Sequence, residues 1–367
     1  MIQLDLDAPL TKESTWSGWT GDDQWSIAPE CDIGWWTRAR EWGGGFFHHP
    51  FALDLGGHAG SPVVATCVDS VGVAAVAVGL RWRCRLSSRP RHVYFPSLPI
   101  VRPGVEYTPV MRSLCEALAH SGVSDISCDS FDAPGDSRGA AWGEPGVDRA
   151  EYRVMLDAAP EQLLARLSSH HVRLLHRGEK EGWEAERSIS DDAVNALALV
   201  SQSATVRAAA RGNPFTAAPW RLERAREHCS ADWGVHICRV TKRGTLLAAS
   251  LIGWGGGRAF YLGGGSTPYG YECGAATWMH WRTMLWLRER GITCYNLGGA
   301  PADAHQPTHP AHGLHRFKTG FGAGRITLRG LHWSDGSVHN SLHRAAQRLG
   351  GAHHADTSDR NHHAHAS

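Results

Sequence analysis

The sequence has no C-x-x-C pair, no H-E-x-x-H helix and no G-x-x-x-x-G-K-[ST] loop. Its nine cysteines (Cys31, Cys67, Cys84, Cys115, Cys128, Cys229, Cys238, Cys273, Cys294) are odd in number and scattered. That excludes a disulfide framework and a cysteine-built zinc site and leaves buried free thiols, since free cysteine behaves as a small hydrophobe. No apolar run is long enough to cross a bilayer. The opening segment "MIQLDLDAPLTKES" lacks a basic region followed by an apolar one, so a cytoplasmic chain with no membrane insertion is expected.

Acid is missing locally. Val71 to Val105 carries no Asp or Glu but holds Arg81, Arg83, Arg85, Arg89, Arg91 and Arg102. Ala304 to Ser334 again has none and holds Arg316, Lys318, Arg325 and Arg329. On a chain of net charge +1 such patches suit a ligand with a few phosphates better than a long duplex, a solvated basic face being the plain alternative.

What is present reads as mixed α/β, in two halves of similar order. "SPVVATCVDSVGVAAVAVGLRWRCRL" alternates as two strands turning near Asp69-Ser70. On the second, Arg81, Arg83 and Arg85 fall at a spacing of two and leave by one face, lining a groove or simply meeting solvent. "VYFPSLPIVRPG" is too proline-rich for a central strand and is expected to be an extended loop. "TPVMRSLCEALAHSG" is a helix with Thr108 as its cap and Gly122 as its stop. The strand "VSDISCDSFDA" follows, then the loop "DAPGDSRGAAWGEPGVDRA", taken as the domain boundary.

Beyond it come a strand, "EYRVMLD", and one helical stretch, "APEQLLARLSSHHVRLLHRGEKEG". A helix capped by Ser190 and the strands "GVHICRVTKRG", "TLLAASLIGW" and "RAFYLGGGS" follow. The helix "GAATWMHWRTMLWLRERG" ends on arginines before Gly291, as the helix dipole favours. The strand "ITCYNLGG" leads through a His- and Pro-rich loop to "GLHRFKTGFG". The expected organisation is a first lobe over 1–148, a second over 149–335, a helix over 336–350 packing back on the first lobe, and a disordered His-rich tail over 351–367.

"LLAASLIGWGGGRAFYLGGGS", the long helix, "GITCYNLGG" and "GLHRFKTGFG" together resemble the second half of the Fem-type (FemABX) aminoacyl-tRNA-dependent transferases. "LSSHHVRLLHRGEKEGWEAERS" is similar to that family's basic helix. "FFHHPF" and "VYFPSLPIVRPGV" are similar, more loosely, to segments of its first half. The order and spacing of these segments, rather than any one motif, carry the resemblance over most of residues 30 to 335. It implies two tandem acetyltransferase-like (GNAT) subdomains of α/β (α+β) class. The long helical hairpin of the staphylococcal members is missing.

The implied reaction is attack by an amine on the ester joining an amino acid to the 3′ end of tRNA. The site must align the partners, take a proton and stabilise an oxyanion. The resemblance places Lys318 at the terminal phosphate or oxyanion and Phe317 against the terminal adenosine. Asn296 stands where the family more often has Asp, and a neutral amide carries no base role. His315 belongs to the histidine-rich run (His305, His309, His312, His315) that offers a general base. With only Asp303 as a nearby carboxylate, that run is not expected to hold a metal.

Arg173 and Arg177, one helical turn apart, suit a phosphate clamp or a solvated face. Arg316, Arg81, Arg83 and Arg85 are further candidates for the tRNA, and Tyr94 and Ser97 for the acceptor. No cofactor beyond aminoacyl-tRNA as co-substrate is implied. The acceptor would be a small-molecule amine, a peptidoglycan precursor or a specialised metabolite. Two alternatives stay open: an acyl-CoA-dependent N-acyltransferase, although the turn "YGYECGAAT" lacks the basic residue of a pyrophosphate loop, and a catalytically idle binding scaffold.

Overall fold

The computed structural model describes residues 14–18, 23–28, 34–49, 51–55, 60–83, 90–133, 144–210 and 220–334. In chain order the first strands and helices are β1 (Ser14–Gly18), β2 (Asp23–Ala28), α1 (Gly34–Glu41), α2 (Phe51–Asp54), β3 (Ser61–Asp69), β4 (Gly72–Arg83), β5 (Pro90–Phe95), β6 (Ile100–Val101), α3 (Tyr107–His120) and β7 (Asp125–Cys128). Next come β8 (Glu144–Met155), α4 (Pro160–Ala165), α5 (Ser169–Lys180), β9 (Trp183–Ser188), α6 (Asp191–Ala210), α7 (Glu223–His228), β10 (Trp233–Lys242) and β11 (Thr245–Gly255). The last are β12 (Arg258–Ser266), α8 (Pro268–Cys273), α9 (Ala275–Glu289), β13 (Cys294–Pro301), α10 (His312–Thr319) and β14 (Gly324–Ser334). The helix expected over 336–350 and the tail over 351–367 lie outside the described residues.

Two compact units result: the described residues up to Asp148 together with Leu328–Ser334, and the described residues from Arg149 to Thr327. The chain re-enters the first unit inside β14, at Leu328, rather than at a loop near 335.

In the first unit the strands run β1-β2-β3-β4-β5-β7-β14, with β6 beside β4. Neighbours from β1 to β5 are antiparallel, α3 crosses over, and β7 lies parallel to β5. In the second unit the order is β9-β10-β11-β12-β13-β8. Again the hairpins are antiparallel, a helix (α9) crosses over, and β13 lies parallel to β12. The architecture is therefore mixed α/β with the same strand–helix–strand plan in both units.

The sequence explains these elements locally. β11 is buried from Leu247 to Gly255, as a central strand covered on both faces must be. α5 is capped by Ser168, whose Oγ accepts the His171 amide at 3.2 Å. That cap breaks the single helix expected over "APEQ…KEG" into α4 and α5. α3 is not capped by Thr108: the helix already includes that residue and begins at Tyr107.

Two further expectations are corrected. "VYFPSLPIVRPG" is not a loop. Its first part is the end of β5, paired with β4 on one side and β7 on the other, and Ile100–Val101 is β6. The prolines are tolerated because Pro90 opens the strand and Pro96 follows its end. "EPGVDRA" likewise belongs to strand β8, not to the boundary loop.

Candidate functional site

Between β12 and β13 the second unit opens. The two pair only through Arg258–Cys294, Ala259–Tyr295 and Phe260–Asn296. Past that point β12 is bulged against β11, and β13 shifts register against β8 between Asn296 and Gly299. On β13 the cause is local. The fully buried Asn296 folds its amide onto its own strand, Oδ1 accepting the Gly298 N–H at 2.9 Å. Gly298 sits at φ +78°, where an L side chain is strained. A Cβ there would stand 3.4 Å from the Tyr261 carbonyl oxygen and 3.7 Å from Lys318 Nζ.

Lys318 is one of four lysines in the chain and only 2% exposed. The decapeptide that holds it is not a loop tip: α10 covers His312–Thr319 and turns this side chain inward. Its Nζ donates to the Gly299 carbonyl at 2.6 Å and lies 5.6 Å from the centroid of the Tyr152 ring. Burial pulls the ammonium down to about 7, the Glu151 carboxylate opposing and the Arg149 guanidinium adding to the drop. One of three ammonium protons is thus spent on a protein carbonyl.

Beneath it lies a buried ionic network that the sequence reading missed. Glu151 is completely buried; its Oε1 takes Arg149 Nη2, and its Oε2 takes Arg153 Nη2 at 3.1 Å and Asn296 Nδ2 at 2.6 Å. Both ends of the Asn296 amide are therefore in use, one on Glu151 and one on the bulge. The available signal was "RAEYR": on a strand, Arg149, Glu151 and Arg153 share one face. Alternation gave the shared face, but nothing local said that it was buried.

Tyr152, next in the strand, places its hydroxyl 3.0 Å from His315 Nδ1. Burial raises that phenol, and the nearby Arg325 acts against the rise. Burial, with His312, Arg325 and His305 nearby, lowers His315, which leaves its imidazole neutral at neutral pH. An aromatic floor completes the opening: Phe317 packs against His171, His280 and Phe321. His280 lies 2.9 Å from the Tyr295 hydroxyl and is pushed down to about 3 by burial, then by Lys318 and His171. Burial and His170 bring His171 to about 4. The cationic group facing this floor is therefore the lysine.

The other candidates do not gather there. Arg177 is tied to Glu181 at 2.7 Å, whereas Arg173 on the same helix and Arg316 on α10 are exposed. Arg81 is buried, not part of a solvated row, and the ladder shifts register between Trp82 and Arg83, so the spacing-of-two argument fails there. The Arg83 side chain and all of Arg85 lie outside the described residues. Tyr94 and Ser97 are not on an open loop. Tyr94 is buried in β5 and donates to Asp129 Oδ2 at 2.7 Å, and Ser97 donates to the Phe131 carbonyl at 2.5 Å.

The first unit holds a second network that sequence alone did not suggest. His92 Nδ1 is 3.0 Å from Asp125 Oδ1 and His92 Nε2 is 3.2 Å from Ser127 Oγ, with His332 also on Asp125. The spacing mimics a nucleophile–base pair. Ser127, however, sits mid-strand, paired with Tyr94 and His332 on either side, so its backbone is engaged in the sheet rather than shaped for an oxyanion. Seven cysteines (Cys67, Cys115, Cys128, Cys229, Cys238, Cys273, Cys294) are free, and all but Cys229 are buried. Among the described residues no group of His, Cys, Asp and Glu could hold a metal ion, and no helix is long and apolar enough to cross a membrane.

Residues 151–309, within the second unit, match the family model of the acetyltransferase (GNAT) domain. The match begins at the buried Glu151 and stops short of Lys318. The fold is similar to that of FemX, at 14% identity over 77% of this chain and 89% of that one, with a TM-score of 0.56. L-PGS from Bacillus licheniformis is similar over 77% of this chain and 87% of its own, at 14% identity and a TM-score of 0.46. A tandem GNAT protein from the clavulanic acid biosynthesis pathway is similar over 74% and 82%, at 11% identity and a TM-score of 0.40. No curated protein matches the chain in sequence.

Proposed function

We propose that the protein transfers an amino acid from aminoacyl-tRNA to an amine of a small molecule, forming an amide bond. The observation that carries this reading is the buried Lys318 ammonium facing the opening between β12 and β13, with one donor on Gly299 and two to spare. The resemblance of "GLHRFKTGFG" and its neighbours to Fem-type transferases supplies the donor.

The chemistry follows from the groups in place. An ester carbonyl entering the opening puts its oxygen beside the ammonium, where low dielectric strengthens the interaction as the oxyanion forms. The attacking amine must lose a proton. The hydroxyl of Tyr152, whose ring centroid lies 5.6 Å from Lys318 Nζ, passes it to His315 Nδ1, which is unprotonated at neutral pH. As the tetrahedral intermediate collapses, the C–O bond to the ribose breaks and the 3′-oxygen leaves with the proton that His315 returns through Tyr152. Glu151 and Asn296 fix the bulge that aims Gly299 at the lysine; they position and do not react.

Transfer from acyl-CoA is the second reading, favoured by the family match. The turn opening α8 speaks against it. Pro268 has no N–H, the Gly270 amide is taken by Thr267 Oγ1 at 3.1 Å, and the Tyr271 amide by the Thr267 carbonyl at 2.8 Å. Few donors remain there for a pyrophosphate. Incubation with charged tRNA and candidate amines is expected to give product whose formation ribonuclease abolishes. Product formed without tRNA, or acetyl-CoA binding by calorimetry in RNA-free buffer, would reject the proposal.

A further inference from the structure

Helix α9 carries a stripe that the site above does not use. Trp278, Arg282 and Trp286, with Arg290 at the C-cap, recur every four residues, so along the helix each lies about 40° around the axis from the last, on one face. Each arginine covers the tryptophan before it, with Arg282 Cζ 5.5 Å from the Trp278 centroid and Arg290 Cζ 3.9 Å from that of Trp286. From β9, Arg187 brings a third guanidinium to 5.5 Å from the same Trp286 ring and donates to the Arg282 carbonyl at 2.6 Å.

The tryptophans are fixed. Trp278 meets Trp183 edge-on, and Gly178 of α5 has no Cβ because one would lie 2.3 Å from the indole. Trp286 meets Trp254 and His236 edge-on, and His236 stacks on Trp254 at 5.0 Å.

These arginines are set out on a rigid aromatic base. Among the described residues none of Arg187, Arg282 and Arg290 forms an ion pair, and Glu289 is the acid nearest the cluster in charge effect. Arg282 and Arg290 are exposed. Burial, Arg282 and Arg290 all act to strip charge from Arg187, and burial with Arg290 and Arg187 holds His236 near 4 and neutral. Crowded like charges cost free energy that a bound anion returns. Stacked guanidiniums lose little further entropy on gripping a phosphate through two donors each. From Arg282 to Arg290 the helix rises about 12 Å, room for more than one phosphate. On the opposite face of α9, His280 packs against Phe317, the residue before Lys318.

We infer that the α9 Trp–Arg ladder with Arg187 is the docking surface for the phosphodiester backbone of the RNA donor, which rests on the tRNA dependence proposed above. Its test is binding of uncharged tRNA between about 50 and 200 mM salt, comparing wild type with Arg282→Gln/Arg290→Gln. The double variant is expected to bind at least about tenfold more weakly, with a log–log salt slope shallower by about 1.5. Arg282→Lys/Arg290→Lys, which keeps charge and helix propensity but not the planar stack, should fall between.

Wild-type tRNA binding that the glutamines leave unchanged in affinity and slope would overturn the ladder while leaving the proposed donor intact. A wild type that binds no tRNA at any salt overturns both. If the glutamines abolish binding to phosphatidylglycerol vesicles and spare tRNA, the surface belongs to a lipid and the inference fails.

Discussion

Each unit contains one parallel strand pair joined by a crossover helix, and the two pairs differ in how far they close. In the first unit β5 and β7 pair over four consecutive positions, from His92–Asp125 to Phe95–Cys128. The backbone then goes on bonding, the Asp129 amide to Phe95 and the Phe131 amide to Pro96. In the second unit β12 and β13 part after three positions, and the next free amide of β13, that of Gly298, is taken by a side chain of its own strand. A closed ladder leaves no room for an acyl group between strands. An open one does, and the buried Lys318 lies beside it. Polar groups are buried in both units, but in the first they bind one another, Tyr94 to Asp129 and His92 to Asp125, whereas Lys318 retains unspent donors. Under the function proposed above, one plan serves as a scaffold in one unit and as a reaction site in the other.

The sharpest way to break that contrast is Lys318→Met, which keeps length and removes charge. Acyl transfer is expected to fall about 10²–10³-fold. Stability should move the other way. The folded ammonium titrates near 7 against an ordinary 10.5. Between those values the unfolded chain binds more protons, so the wild type gains stability as pH rises through that window. The advantage of methionine is therefore largest below pH 7 and shrinks towards 10.5. Thermal melts at pH 6 and pH 9 check this; a variant that is inactive and also less stable at pH 6 would make Lys318 a structural residue.

Glu151→Gln comes next. It removes the carboxylate charge that both Arg149 and Arg153 contact in a buried site, at a cost of about 3 kcal/mol in denaturant unfolding. Because Asn296 and the bulge at Gly298 lean on the same carboxylate, transfer should drop as well, with kcat falling more than the acceptor KM rises.

A smaller effect, about 10²-fold at most, is expected for His315→Asn. The wild-type rate should carry an acid limb below the ordinary histidine range, since His315 is lowered, and the variant should lose it. A variant whose pH profile keeps that limb would take the proton path away from Tyr152 and His315.

The strands and the long helices were legible because alternation and capping are local signals. β3, β4 and β10 to β13 follow the period of two or the buried run, and Gly291 ends α9 at φ +74° as a left-handed stop does. Lys318 was legible only through its motif. Nothing in "GLHRFKTGFG" tells a buried α10 lysine from an exposed one, because burial is decided by Gly299 and Tyr152, which come from other strands. The same limit hid the Arg149–Glu151–Arg153 row and turned "VYFPSLP" into a loop: proline was weighed as a breaker, while the strands on both sides of β5 were out of view. Arg81 failed for a related reason, since a register shift at Trp82 is a tertiary event that spacing along one strand does not report.

The smallest expected effect tests the closed pair. Tyr94→Phe removes one hydrogen bond to Asp129 without opening a cavity, and should cost about 1–2 kcal/mol, the usual loss for a bond to a carboxylate that keeps other partners. If the first unit's pair is scaffold, that loss appears in denaturant unfolding while kcat and the acceptor KM stay within about twofold. If Tyr94 instead meets the acceptor, as its sequence context first suggested, the KM rises with little change in stability. The two outcomes separate because a hydroxyl already bound to Asp129 has its proton engaged. It can recognise an acceptor only by accepting a hydrogen bond or by giving up the one it makes.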